Sequence, residues 1–509
     1  MRDFAMMSRM GRGFAAAPLA VLLMSGTAHA ALTADQVWQS WKDAAALAGL
    51  TVSAATEAKD GGALRLNGVT VAGAEGAGLT ISDVVLEEQS DGSVTITPGT
   101  EIGMDYAGTE GDTATLDVTH DGLTITAREE GGALVYDYAA DAVDIAFNSS
   151  YGTPGTADDG TAMQGKTDVT VAFEGLAGTY SDTPGANRAF GMDLTATKLA
   201  YDITSENADI PMKTTSVSET ADVVIGFDVT MPQTVSLMAL QSAGEFRKAL
   251  EEGFAVSAVT QQGVSTGASS QESEFMPYAM EITAQPGEAT FSFNKDVFAV
   301  QSTGEGVAVN FTSAMMPVPV AVTTGPVEMN MVSPVMSADT AGDFALLMKI
   351  SQLVVNDEAW GMIDPGGALK REPADLSIDV SGKAKIDFLA MAVADETGAP
   401  PPMPAPERVD IRDLSLNIAG AAFAGTGAFT FDNSMGMPMP LGEANISLTG
   451  GNALIDGLIA TGMVTEEDAM GARMMMGMFF TPGADADSLT SKIEARAGNE
   501  IYVNGQRIQ

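Results

Sequence analysis

From Leu50 onward, apolar residues recur at every second position. Leu64/Leu66, Val69/Val71, Leu79/Ile81, Val94/Ile96, Leu116/Val118 and Leu123/Ile125 each enclose one polar residue. Strand side chains alternate between the two sides of a sheet, so this period of two predicts half-buried β-strands. Asp60-Gly61, Asp91-Gly92 and Asp121-Gly122 read as the turns between them. The pattern continues over Leu134–Phe147, pauses in a Gly/Thr/Asp-rich loop over Tyr151–Gly165, and resumes at Val169–Phe173, Met192–Ile203 and Val223–Val229. Further strands follow at Phe275–Ile282, Ala289–Phe293, Val307–Phe311, Val318–Val322, Val327–Val332 and Asp375–Phe388. Val409–Ile418 and Ala421–Phe431 form a hairpin about Gly420. The chain closes on a half-buried hairpin. Leu489, Ile493 and Ala495 face one way there, Thr490, Lys492, Glu494 and Arg496 the other, with turns at Gly498-Asn499 and Asn504-Gly505.

The period changes in a few places. Thr33 and Gln36 have the spacing of a capping box, and Val37, Trp38, Trp41, Ala45 and Ala48 follow on one helical face that ends at Gly49. The two Trp read as a plug at the end of a sheet. Val235–Glu252 is a second helical stretch, carrying Leu237, Leu240, Phe246 and Leu250. Asn356 is placed to cap a helix of one or two turns reaching Asp364, with Asp357 and Glu358 in its first turn. Asn452–Ala460 and 465–480 are two more. In the last, Thr465 is the cap, and Met470, Met474, Met475, Met478, Phe479 and Phe480 leave Arg473 as the only charge beyond the first turn. Such a helix should be buried or should cover an apolar surface. Gly398–Pro406 reads as a proline-rich connector.

The fold class expected is therefore mainly β: one large antiparallel sheet, strongly curved or double-layered, with short helices near the N-terminus, the middle and the C-terminus. Residues 1–30 read as a signal peptide, from Arg2, Arg9 and Arg12 through an apolar Phe14–Met24 to Ala28-His29-Ala30. They precede an N-terminal β half over 31–232 and a C-terminal β half over 233–509. Export to the periplasm follows as an expectation, and the absence of Cys leaves stability to the core rather than to disulfides.

Charge narrows the partners. Lys and Arg number 25 against 67 Asp and Glu, a net charge of −42; losing residues 1–30, with three Lys/Arg and one Asp, makes it −44. Nucleic acid and anionic lipid head groups are disfavoured as main partners. The motifs of chemistry are missing. His120 is the single His beyond residue 30 and sits in a Thr-His-Asp-Gly turn. There is no Gly-x-Ser-x-Gly elbow, no Walker lysine and no dinucleotide fingerprint. Met435, Met437 and Met439 have a spacing with a copper flavour but no His or Cys companion, so no metal and no cofactor is expected there.

Several stretches resemble domain-of-unknown-function family 2125, exported proteins of Gram-negative bacteria. They include Asn356-Asp-Glu-Ala-Trp360-Gly-Met-Ile-Asp364-Pro-Gly-Gly-Ala-Leu, Pro373-Ala-Asp-Leu-Ser-Ile-Asp-Val-Ser-Gly382 and Gly425-Thr-Gly-Ala-Phe-Thr-Phe. Gly450-Gly-Asn-Ala-Leu-Ile-Asp456, Ala469-Met-Gly-Ala-Arg473-Met-Met, Asn504-Gly-Gln-Arg507 and the stretch Gly244–Phe254 belong to the same resemblance. It implies an exported protein with no catalytic signature, and extends over the chain from residue 31. The plan also resembles, more distantly, AsmA-type envelope proteins. The reading that results is a non-enzymatic binding or scaffold protein in peripheral contact with the envelope, handling lipid or another apolar ligand, with Met470, Met474, Met475, Met478, Phe479 and Phe480 as the cap of an apolar groove. The alternatives are an outer-membrane β-barrel and a hydrolase whose carboxylates do not stand out. The alternating faces need burial by a partner sheet or by closure, unless one side of a curled sheet stays open as a groove.

Overall fold

A computed structural model describes residues 31–509 except 48, 74–77, 109–111, 154–162, 208–210, 236–239, 241 and 435. The signal-peptide reading of 1–30 lies outside the described residues, as do Leu237 and Met435. Among the described residues, 28 strands are hydrogen-bonded in antiparallel pairs into one sheet, accompanied by six helices. No helix among them is long and apolar enough to cross a membrane. The chain divides into two compact units, 1–201 with 224–239, and 202–223 with 240–509.

The first unit opens with α1 (Ala34–Leu47), followed by β1 (Thr51–Asp60), β2 (Ala63–Ala72), β3 (Gly78–Glu88), β4 (Val94–Pro98), β5 (Ile102–Ala107), β6 (Thr113–Asp121) and β7 (Thr124–Glu130). Three 21-residue strands follow, β8 (Ala133–Thr153), β9 (Met163–Thr183) and β10 (Asn187–Asn207), the last running on into residues of the second unit. The loop expected at Tyr151–Gly165 is shorter than that, because Tyr151–Thr153 still pair with Met163–Gly165. The sheet forks at β3, which pairs with β4 through Val84–Glu88 and with β5 through Leu79–Ile81. The two branches rejoin on β8, through β7 and β6.

The capping box forms as its spacing predicts: the Thr33 N–H donates to Gln36 Oε1 at 2.8 Å, and the Gln36 N–H to Thr33 Oγ1 at 3.3 Å. Val37, Trp38 and Ala44 of α1 then lie on Leu64 and Leu66 of β2, Leu86 of β3, Ile96 of β4 and Tyr136 of β8, all at most 3 % exposed. Trp38 donates its indole N–H to Glu57 at 2.8 Å. The Trp pair thus belongs to a core. Beside it Asp182 and Arg188 form a buried bidentate ion pair across the β9–β10 turn, Nε to Oδ1 at 2.7 Å.

The second unit takes residues of β11 (Met212–Pro232) and continues with α2 (Ala243–Glu251), β12 (Ala255–Gln262), β13 (Ser265–Ser273), β14 (Tyr278–Ala284), β15 (Gly287–Phe293), β16 (Val297–Gly304), β17 (Val307–Ser313), β18 (Val320–Thr323), β19 (Val327–Pro334) and β20 (Gly342–Val355). It forks as the first unit does. One row runs β12–β15–β16–β19, the other β13–β14–β17–β18, and both end on β20. A single row then runs through β21 (Ala374–Lys385), β22 (Ala405–Ile418), β23 (Ala421–Asp432), β24 (Met439–Thr449) and β26 (Ser488–Arg496). Helices α3 (Asp357–Ile363), α4 (Phe388–Thr397), α5 (Gly451–Ala460) and α6 (Glu466–Phe479) join strand ends. The hairpin about Gly420 pairs Ile418 with Ala421 as expected. Between the strand expected to end at Phe388 and the connector expected from Gly398, residues Phe388–Thr397 form a helix that the alternation did not announce. Asp387 caps it by accepting the Ala390 N–H, and Gly398 ends it at φ +69°.

Candidate functional site: an uncharged apolar face

In an antiparallel pair, residues directly opposite each other share a face. Following the pairs from strand to strand therefore gives the composition of each side. Phe291 lies opposite Ala258 and Val300, and Val300 opposite Met331. Met331 lies opposite Leu346, Leu346 opposite Val380, and Val380 opposite Ile411. Ile411 reaches Gly427, Ala444 and Ile493 in turn. The rows above and below that line are of the same kind, with Phe293, Phe298, Met329, Met348, Ile378, Leu414, Phe423, Ile446 and Leu489. Over ten strands this face carries no charged residue. The second branch adds Met280, Phe311 and Val320 on the same side.

The opposite face is polar. Cross-strand ion pairs stud it, Lys349–Glu328 at 3.3 Å, Lys383–Asp343 at 2.9 Å, Arg412–Asp379 at 2.8 Å and Lys492–Glu443 at 2.8 Å. Such pairs suit a solvated surface.

Among the described residues of the second unit, no helix lies over the middle of the apolar face. In the strands from β12 to β26 the buried apolar residues are Ala384, Ala421, Ala444 and, at the end of β19, Pro334, with Val335 just beyond it. Met331 is 36 % and Leu346 38 % exposed in the middle of the face, and the larger residues around them are half-buried by their neighbours in the sheet. The closed core that the alternation led one to expect is absent from these strands. Spacings of roughly 4.8 Å between strands and 3.3 Å between residues give the face about 43 Å across the strands and about 20 Å along them. An area on the order of 900 Å² exceeds the largest apolar patch of an ordinary monomer, about 300–600 Å².

Helices and turns form the rims at the strand ends. On one side Phe246 of α2 stacks on Phe293 at 5.7 Å, and Phe291 and Phe293 meet Phe298 edge-on at 5.9 and 6.3 Å. Arg247 holds α2 to the cap of α4 through both Asp387 oxygens at 3.0 Å. At the other strand ends, Asp364 accepts the N–H groups of Leu369 and Ala368 at 2.8 and 2.9 Å, which holds its carboxyl below the usual 3.8. Asn356 does not cap α3 with its side chain. It accepts from the Ala321 N–H and donates to the Pro319 carbonyl, tying α3 to β18. Asp487 binds the first N–H groups of α5, and Gly451 lies against Leu448 of the apolar face. A Cβ at Gly382 would sit 2.0 Å from the Arg408 carbonyl oxygen and 2.7 Å from the Phe344 ring, so the close approach of both requires glycine there.

α6 forms and is capped by Thr465, which accepts the Asp468 N–H at 3.2 Å. Its expected burial does not occur. Met470, Met474 and Met478 are 67, 66 and 63 % exposed, Met475 and Phe479 are exposed as well, and Phe480 is half-buried. The side of the helix that packs is the narrow one with Ala469 and Arg473, whose guanidinium meets Asp456 of α5. Met437 is exposed and Met439 begins β24. His120 is the last but one residue of β6, its Nε2 3.2 Å from the Gly99 carbonyl oxygen. Among the described residues, no three His, Asp or Glu are grouped as metal ligands.

Residues 275–500 match the model of DUF2125, a family described as an uncharacterized protein conserved in bacteria. The match takes in the apolar face from β14 onward. Gly244–Phe254 and Asn504-Gly-Gln-Arg507, parts of the resemblance seen in the sequence, fall outside it, as does the chain before residue 275. No curated protein and no solved structure matches the chain. The family-like segments have visible structural work: Asn356, Asp364, Gly382, Gly450-Gly451 and Arg473 all hold rim elements or clear the face.

Proposed function

We propose that this is an exported, non-catalytic carrier or scaffold of the bacterial envelope whose apolar face holds the hydrocarbon part of a lipid or another apolar ligand. The observation that carries this reading is the uncharged face over ten strands on which no large side chain is fully buried. Each methylene laid on such a surface contributes up to about 0.8 kcal/mol, so a single acyl chain could supply useful affinity. Met329, Met331 and Met348 suit the role, since an unbranched thioether adapts to varied apolar shapes. The leader-like pattern of residues 1–30 supports export.

The test is binding of a fluorescent acyl probe, presented as monomers, to the full chain and to Leu346→Glu. Position 346 is already 38 % exposed, so the variant should keep its circular dichroism spectrum. Its affinity should fall by about tenfold or more, because the ligand would have to desolvate a carboxylate. A wild-type chain that binds no probe, or a folded variant with unchanged affinity, overturns the reading.

A further inference from the structure

The polar groups of the second unit say which amphiphile the face would take, an inference that rests on the reading above. A lipid with a net negative head group needs cations where its head emerges. The face itself offers none. Residues 240–509 contain 34 Asp and Glu against 14 Lys and Arg. Ten of those 14 are engaged with carboxylates. Lys349, Lys383, Arg408, Arg412 and Lys492 are engaged on the polar side of the sheet, pointing away from the apolar side. Arg247, Arg371 and Arg473 are engaged at the rims, with Asp387, Asp357 and Asp456. Arg496 and Arg507 meet Glu494 and Glu500 in the terminal hairpin. The other four are scattered: Lys248 is on α2, Lys295 in the β15–β16 turn, Lys370 in the loop before β21 and Lys385 at the end of β21. A phosphate or carboxylate leaving this face therefore meets a rim where most cations are paired with carboxylates, the four remaining lysines are scattered, and the net field is negative.

We infer that the ligand is a neutral or zwitterionic amphiphile held by its chains alone, and that the acidic rim excludes amphiphiles of net negative charge. The head group is not read by contacts. It is selected by repulsion, which is long-ranged at low ionic strength and screened at high.

The experiment uses the full chain and three monomeric probes with one acyl-labelled chain type: a diacylglycerol, a phosphatidylcholine and a phosphatidylglycerol. At low ionic strength the first two should bind alike and the third about tenfold or more weakly. In about 1 M salt, where the Debye length is about 3 Å, the gap should close. At the rim, Asp357→Asn, which takes the carboxylate from Arg371, should raise the affinity of the phosphatidylglycerol probe. Equal or tighter binding of that probe at low ionic strength overturns the inference while leaving the apolar site standing. A gap that persists in 1 M salt overturns it too, since repulsion would not be the cause. Failure of all three probes to bind removes the site and the inference together.

Discussion

Leu66 and Leu346 occupy the same kind of position, a leucine on the apolar side of an antiparallel strand with apolar partners on both flanks. Leu66 is 0 % exposed and Leu346 is 38 % exposed. The difference is the layer above. In the first unit α1, 14 residues and about 21 Å long, lays Val37 and Trp38 across several neighbouring strands. Among the described residues of the second unit the helices sit at strand ends, and the middle of a face about 43 Å across has no helix on it. Alternation makes a sheet with an apolar side. Whether that side becomes a core or a binding surface depends on what the chain places over it.

The comparison is broken most severely at the covered end. Asp182 is 0 % exposed, and its charge is met by Arg188 through two hydrogen bonds. Arg188→Met leaves that carboxylate buried without its partner, which should cost about 3–5 kcal/mol. Chemical denaturation of the full chain measures this. A loss below about 1 kcal/mol would mean that the carboxylate reaches water and that the region is less closed than the second unit's face is open. The next effect is that of Leu66→Ala, about 2–5 kcal/mol, from lost transfer energy and the cavity left under α1. If Leu66→Ala proves as mild as a surface change, the contrast between the two regions collapses.

A smaller effect belongs to the rim. Asp364 has its carboxyl held low, first by the Leu369 N–H and then by the Ala368 N–H. A carboxyl with a folded pKa below its ordinary 3.8 adds stability above that pH and loses it as the pH falls through the folded value. Asp364→Asn should therefore be less stable than the parent at neutral pH, and the two should converge well below pH 3.8. Proteolytic nicking around residues 364–371 is the readout. Equal resistance at neutral pH would show that the carboxylate does not hold the rim.

The sequence made the sheet, most turns and both side-chain-capped helices at the chain's ends legible, because each depends on residues a few positions apart. Thr33 and Gln36 formed the capping box that their spacing announced, and Asn504-Gly505 formed the last turn, both at positive φ. α4 was missed because Phe-Leu-Ala-Met-Ala-Val has no polar side to set a period, although Asp387 and Gly398 marked its ends. The Asp182–Arg188 pair was hidden among abundant carboxylates; no local signal marks one Asp of many as buried. The candidate site was half legible. Its residues were in the alternation, but the alternation of β20 under no cover reads like that of β2 beneath α1. The Met helix misled for a related reason. An apolar helix needs a covering layer only if its apolar side turns inward, and α6 turns outward the stripe of Met470, Met474 and Met478.

The smallest expected effect is the sharpest test of the contrast. Leu346→Ala removes as many methyl and methylene groups as Leu66→Ala, so the two substitutions have the same chemistry in the unfolded chain. What differs is the water each side chain loses on folding and the space its removal leaves. At Leu346 that space opens to solvent, so there is no enclosed cavity, and the side chain keeps more than a third of its exposure in the native state. The cost should stay within about 1 kcal/mol, several-fold below that of Leu66→Ala. A bound ligand should change this. A molecule lying over Leu346 supplies the missing layer, so the penalty of Leu346→Ala should grow when denaturation is repeated with a saturating acyl probe, while that of Leu66→Ala should not. Equal penalties for the two positions without ligand would show that Leu346 is already covered in solution, and the apolar face would then be a core.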